Sequence, residues 1–285
     1  MGGDQRAGLG PTRRRRRLSD AETERRMLDT AKQMVEESGL TVSLEHIGLE
    51  DVIRDAGVSR SAVYRRWPYK DLFFSDLLKE LARGSDPAIS GSAPGALAAV
   101  RRIVLDRLDW LRVPERRVAL IAEVARQGAL REVETFHRSP QWRTYLALHA
   151  TFLSLPEGEL RDEVRSALAA SERDVSARLA ETYRRMAGLL GLRVRPESGA
   201  SYATLAGLAN AVVRGLVIMV PSTPEIIAGT APANPFGAPE EAEWSQPGLG
   251  LGALFSALIE PDPDAVFDDA RIEEVRRTLL AEERP

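Results

Sequence analysis

Residues 56–73 read AGVSRSAVYRRWPYKDLF, and few stretches of this length leave a chain so little choice. Gly57 stops the helical pattern LEDVIRDAG (49–57), because glycine alone enters the left-handed region without a Cβ clash. Ser59 is placed to cap a new helix, its hydroxyl accepting from the backbone N–H two or three residues on. Pro68 ends that helix near Trp67 by removing a donor and blocking the turn before it. Two short helices joined by a tight glycine turn make a helix-turn-helix. In its second helix Val63 and Trp67, four residues apart, belong to a buried side. Arg60, Ser61, Ala62, Tyr64 and Arg65 face away from it. A helix that enters a DNA groove needs this division of apolar anchors from hydrogen-bonding and small residues.

The flanks extend the pattern. Ser19 and Glu22 form a possible capping box. Met27, Leu28, Ala31, Met34 and Val35 then recur at helical spacing until Gly39, and LTVSLEHIG (40–48) is a connection. A fourth helix starts near Lys70, with Phe73, Phe74, Leu77, Leu78 and Leu81 on one face. GSDPAISGSAPG (84–95) breaks the period and suggests a boundary. Helices are expected over Ala96–Arg112, Glu115–Gln127, Leu130–Leu155 (bent at Ser139-Pro140), Glu157–Leu190, Ser201–Val220, Gly250–Glu260 and Arg271–Glu283. The proline-rich segment 221–248 is too long for a compact turn and is expected to be mobile or to wrap the surface. No alternating pattern longer than a few residues occurs. The expected class is all-α: a disordered basic arm (1–18), a three-helix helix-turn-helix domain (19–84) and a larger helical domain (95–285).

Charge divides along the same line. The chain of 285 residues carries a net charge of −3, yet residues 1–84 hold 16 Lys+Arg against 14 Asp+Glu, a balance of +2, and the remainder is at −5. The first 17 residues contain six Arg and one Asp. Positive charge therefore gathers beside the helix-turn-helix, where a polyanion would dock. Hydrophobic residues make up 44% of the chain, enough for a sizeable core. The absence of cysteine removes disulfides, thiolate metal sites and cysteine nucleophiles, and it suits a reducing cytoplasm. Arg13–Arg17 is followed by SDAETERR rather than the apolar run of an export signal. TLAGLANAVVRGLVIMV (204–220) holds Asn210 and Arg214, which favours a buried helix over a membrane span. His46, His137 and His149 are dispersed, and no P-loop, dinucleotide-binding glycine fingerprint or G-x-S-x-G occurs. Neither an enzyme, a metal site nor a cofactor is expected.

With these residues in view, AGVSRSAVYRRWPYKDLF resembles the helix-turn-helix of the tetracycline-repressor (TetR) family. The shared features are Ala56-Gly57-Val58-Ser59, Tyr64, an aromatic three residues later at Trp67, and Lys70-Asp71-Leu72, and the similarity spans residues 23–82. The link from Gly39 to Leu49 is longer than the family's usual one, and Trp67 stands where a Phe is common. The resemblance implies that Tyr64 and Lys70 contact phosphates and that Arg60, Ser61, Ala62 and Arg65 face base edges, with Ser59 capping the helix. Arg66 is a phosphate contact or faces solvent. Any of these arginines could otherwise be an ordinary surface charge. The basic run Arg13, Arg14, Arg15, Arg16, Arg17 is either a minor-groove arm or a solvated tail that raises affinity through counterion release.

The second domain is expected to dimerise, or else to bury Ser201–Val220 as a plain core helix. Small residues in LAGLANAVVRG would let helices approach closely, and Ser201–Val220 with Gly250–Glu260 would make half of a four-helix interface. A two-fold dimer would suit a palindromic double-stranded operator. The resemblance also implies a pocket for a small, hydrophobic effector. Trp110, Phe136, Trp142, Tyr145, His149 and Phe152 could line it, or could be core. The expected function is a cytoplasmic, ligand-released repressor. The alternative is an orphan helix-turn-helix protein whose second domain only dimerises or binds a protein partner.

Overall fold

The computed structural model describes residues 18–38, 47–83 and 94–281. Twelve α-helices are present among them. The first four build the head: α1 (Asp20–Ser38), α2 (Leu49–Ala56), α3 (Arg60–Arg66) and α4 (Lys70–Arg83). The punctuation acts as its chemistry requires. Gly57 closes α2 at φ 65°, in the left-handed region, and the Ser59 hydroxyl accepts from the Ala62 N–H at 3.3 Å. The capping box at the start of α1 is only half made. Ser19 Oγ accepts from the Glu22 N–H at 3.1 Å, but the Glu22 carboxylate turns outward to Arg26 at 3.0 Å.

Met27, Ala31 and Val35 of α1, Val52 of α2, Val63 and Trp67 of the α3 segment, and Phe73 and Leu77 of α4 are all fully buried. Trp67 meets Phe73 edge-on at 5.1 Å and donates from Nε1 to Asp76 Oδ2 at 2.9 Å. This core does not end with the head. Leu148 of α7 (Pro140–Ser154) and Val164 and Leu168 of α8 (Glu159–Leu189) belong to it.

The body adds α5 (Pro94–Leu105), a 3₁₀ turn at Leu108–Arg112, α6 (Pro114–Arg138), α9 (Tyr202–Met219), α10 (Glu225–Ala228), α11 (Gln246–Leu258) and α12 (Asp269–Ala281). α6 and α11 pack closely: a Cβ on Gly248 would lie 3.1 Å from Arg126 Cα and 3.2 Å from its carbonyl oxygen. Ser201 and Thr204 form a complete capping box at the start of α9. α9 is long and apolar enough to cross a membrane by length and composition, with 39% of its residues buried inside the fold.

Several sequence expectations need correction. The helix expected over Ala96–Arg112 ends at Leu105, and the 3₁₀ turn after it aims Leu108 and Leu111 into the core. No break falls between Gln127 and Leu130, because an isolated Gly128 costs a helix only about 1 kcal/mol and α6 runs on to Arg138. The chain breaks instead at Ser139, whose hydroxyl caps α7 by accepting from the Trp142 N–H with Pro140 in the first turn. Segment 221–248 holds α10, the start of α11 and an antiparallel hairpin of β2 (Thr230–Ala233) with β3 (Ala242–Ser245). The hairpin is tied down by Trp244, which is 6% exposed and meets Phe236 at 5.1 Å. A second small sheet pairs β1 (Leu192–Val194) with β4 (Ile259–Pro261). These strands are too short to show a period, so the all-α class stands with two small sheets attached.

Candidate DNA-binding face and body cavity

α3 presents two unlike sides. Val63 is buried within the helix, and Trp67 is buried just past its end. Ser59, Arg60, Ser61, Tyr64, Arg65 and Arg66 are exposed, and Ala62 is half-buried. A concavity beside this exposed side is lined by Leu18 and Thr23 near the start of α1, by Arg54 and Gly57, and by Ser59–Ala62 and Arg65. Lys70, at the first turn of α4, is exposed and makes no ion pair among the described residues. Its neighbour Tyr69 is 73% exposed. Sequence reasoning passed over Tyr69, although its place between Pro68 and Lys70 could have marked it. Arg13–Arg17 and the long link at residues 39–46 lie outside the described residues.

The arginines of α3 are engaged with carboxylates of the head. Glu50, in the first turn of α2, takes Arg60 Nη2 at 2.7 Å on one oxygen and the Tyr64 hydroxyl at 2.9 Å on the other. That hydrogen bond, with the Glu50 charge behind it, holds the Tyr64 phenol above its ordinary pKa. Arg65 pairs with Asp20. Arg66 donates to both oxygens of Glu24 at 3.1 Å, reaches Asp76 at 3.4 Å and lies over the Trp67 ring. Arg66 is thus held on the flank of the head by two carboxylates.

The body holds a partly open cavity of about 310 Å³ between α5, α6, α8, α9 and α11, bounded by Val124, Phe136, Tyr183, Met186, Leu205 and Phe255 among others. Its walls are mainly apolar, with Gln127, Arg131, Glu132, Thr135 and Thr182 also lining it. The Tyr183 ring stands edge-on to Phe255 at 5.3 Å, and burial pushes its phenol pKa well up. Of the six aromatic positions singled out in the sequence, Phe136 alone lines this space. Trp142 stacks on Phe136 at 4.1 Å, Tyr145 meets Trp142 at 5.5 Å, and His149 meets Tyr145 at 4.6 Å, forming a ladder along α7. Phe152 packs against the head core, and Trp110 packs at the 3₁₀ turn beneath Arg107. Helical spacing gathers Trp142, Tyr145 and His149 on one side of α7, but that side meets Phe136 of α6, Glu172 of α8 and Arg214 of α9. The α8 stripe Leu179, Tyr183, Met186, Leu190, at intervals of four, three and four, is the sequence signal that points into the cavity.

Behind the ladder lies a polar cluster that explains the two polar residues of α9. Arg214 Nη2 donates to both oxygens of Glu172 at 2.9 and 2.7 Å, and its Nε donates to Asn210 Oδ1 at 3.0 Å. The Tyr145 hydroxyl also donates to Glu172, and His149 Nε2 lies 3.3 Å from the same carboxylate. Burial alone would raise the Glu172 pKa; the groups converging on it outweigh that and hold it at about 2. A depressed carboxyl pKa stabilises the fold at pH values above its unfolded pKa, and this contribution is lost as pH falls through about 2. Glu172→Gln should therefore lower stability at pH 7 by about 2 kcal/mol, less than a fully buried pair would cost. Urea titrations of both chains should show the difference shrinking between pH 5 and pH 2.

No family model matches the chain, and no curated protein does. Two solved structures are similar to it. One is described as SmeT, the repressor of the Stenotrophomonas maltophilia multidrug efflux pump SmeDEF; it is 18% identical and covers 88% of this chain and 96% of its own, with a TM-score of 0.36. The other, a SmeT–triclosan complex, is 17% identical and covers 86% and 99%, with a TM-score of 0.39. Among the described residues, no group of three or more His, Asp or Glu is arranged to hold a metal ion.

Proposed function

We propose that the chain is a sequence-specific regulator of transcription: a cytoplasmic homodimer that reads a palindromic operator in double-stranded DNA and is released by a small hydrophobic effector. The observation that carries this reading is the two-sided α3, anchored by Val63 and Trp67 and fixed at its start by Gly57 and the Ser59 cap. A helix so mounted can enter the major groove with Arg60, Ser61, Ala62 and Arg65 forward and with Tyr64 and Lys70 on flanking phosphates. Tyr64→Ala should weaken binding to every duplex alike, about tenfold. Arg65→Ala should also cost about 1–3 kcal/mol of discrimination at one base pair. Titration of both variants against a set of single-base duplex changes checks this. Unchanged affinity in both would reject the assignment.

Dimerisation is supported by the outer face of α9 and α11. Leu208, Ile218, Met219 and Leu249 are each more than 40% exposed there, beside exposed Gly207, Ala211, Gly215 and Ala253. Effector control is supported by α8, which lines the cavity with Leu179–Leu190 and packs on α4 with Val164 and Leu168 in the head core. An effector that reverses occupancy from 99:1 to 1:99 must prefer the released arrangement by about 10⁴. At a hundred times its Kd, a cavity ligand should add about 2.7 kcal/mol to stability, seen as a higher melting temperature and a released duplex. No thermal gain with any small molecule would favour an orphan regulator whose second domain only dimerises or binds a protein partner.

A further inference from the structure

We propose that Glu50 is a specificity-determining residue of the head: it occupies the groups with which Arg60 and Tyr64 would hold backbone phosphate, and so suppresses binding to non-operator DNA. The inference rests on the DNA-binding reading of α3 and names a residue that this reading leaves out. Arg60 and Tyr64 lie four apart on α3 and so share one face of it. Glu50 meets both at once from the first turn of α2, one oxygen to each at 2.7 and 2.9 Å. A carboxylate with a guanidinium on one oxygen and a phenol on the other reproduces what two oxygens of a phosphate would receive.

The surrounding charge makes the contact consequential. The described head, residues 18–38 and 47–83, holds ten Lys and Arg against twelve Asp and Glu, a balance of −2. Arg65 is paired with Asp20, and Arg66 with Glu24 and Asp76. Sequence-independent affinity comes from cations that displace counterions from phosphates. A guanidinium already neutralised by its own protein gains little from that exchange, and Glu50 itself would be brought towards the phosphates. At an operator the balance differs, because Arg60 also gains directional bonds to a base edge that random DNA does not offer in register. The Arg60–Glu50 pair is open to solvent, at 73% and 50% side-chain exposure. Such a pair adds little to folding stability and can be exchanged for a better partner.

The test compares the full chain with Glu50→Gln, which keeps the shape and can still accept from Tyr64. An operator duplex recovered by selection and a shuffled duplex of equal length are titrated by fluorescence anisotropy at several salt concentrations. The variant should bind the shuffled duplex about tenfold more tightly, with the salt slope steeper by about one. Affinity for the operator should change less than about threefold, so the specificity ratio falls. Circular dichroism should show unchanged melting. An equal gain on both duplexes would overturn the proposal, leaving Glu50 as general charge. A loss on both would overturn it too, making Glu50 a positioning residue for Arg60 and Tyr64. If the wild-type chain preferred no duplex over the shuffled one, the DNA-binding reading would fail first, and this inference with it.

Discussion

Trp67→Ala should cost the chain its head. Removing a fully buried large aromatic costs about 3–5 kcal/mol, a large part of the roughly 5–15 kcal/mol that holds a whole domain together. Trp67 is fully buried, meets Phe73 edge-on and donates its indole N–H to Asp76, so its loss opens a cavity and leaves Asp76 with only Arg66 and Lys79. The body core, which lies in a separate set of contacts from Ile103 to Leu279, should survive. Circular dichroism should therefore show two melting steps in the variant, the lower one belonging to the head, with DNA binding lost at the lower temperature. Trp67→Phe should keep the ring contact and forfeit only the Asp76 bond, about 1–2 kcal/mol. A single transition at the wild-type temperature for Trp67→Ala would show that Trp67 does not anchor α3.

The second large effect is expected on the outer face of α9. Ile218 is 60% exposed there, nearly three turns along α9 from half-exposed Leu208, with exposed Gly207, Ala211 and Gly215 beside it. Placing a carboxylate on each copy at a two-fold interface sets like charges against each other in an apolar contact. Ile218→Glu should convert the proposed dimer to a monomer at micromolar concentration, read by sedimentation velocity. Linked sites gain about 10²–10⁴ in avidity over single ones, so affinity for a two-half-site duplex should drop by about a hundredfold or more. Affinity for one half-site should stay the same. An unaltered sedimentation coefficient, with wild type dimeric, would move the interface elsewhere.

Local chemistry made the head legible. Gly57, Ser59 and Pro68 each impose a backbone state on their own, and Val63 and Trp67 fall on the core side by helical period alone. The body was harder because its decisive contacts are long-range. Gly128 resembles a helix end until α11 packs along α6, and the prolines of 221–248 resemble a mobile loop until Trp244 is buried against Gly252 and Phe236. The aromatic side chains of α7 do not line the cavity, whose walls come mostly from α6 and α8, because the rotation of a helix within a bundle is set by its neighbours. Asp20 and Glu24, the α1 partners of Arg65 and Arg66, lie 45 and 42 residues away in sequence, beyond any periodicity. Asn210 and Arg214 look like interruptions of an apolar helix until Glu172 supplies the charge that satisfies them.

These features converge on one physical scheme. α8 is a single helix of 31 residues, about 46 Å long at 1.5 Å per residue. One end stands in the head core, the middle carries Glu172, and the far end walls the cavity. Under the proposed effector control, a ligand that shifted the far end would act on α4 through this one helix.

The claim on which all of this depends is that α3 reads sequence. It is tested most directly by selecting bound duplexes from a random pool, at near-physiological salt, with the full chain. The account predicts enrichment of two inverted half-sites related by a two-fold axis. A folded, helical protein that retained DNA without enriching any sequence, or that retained none, would contradict it.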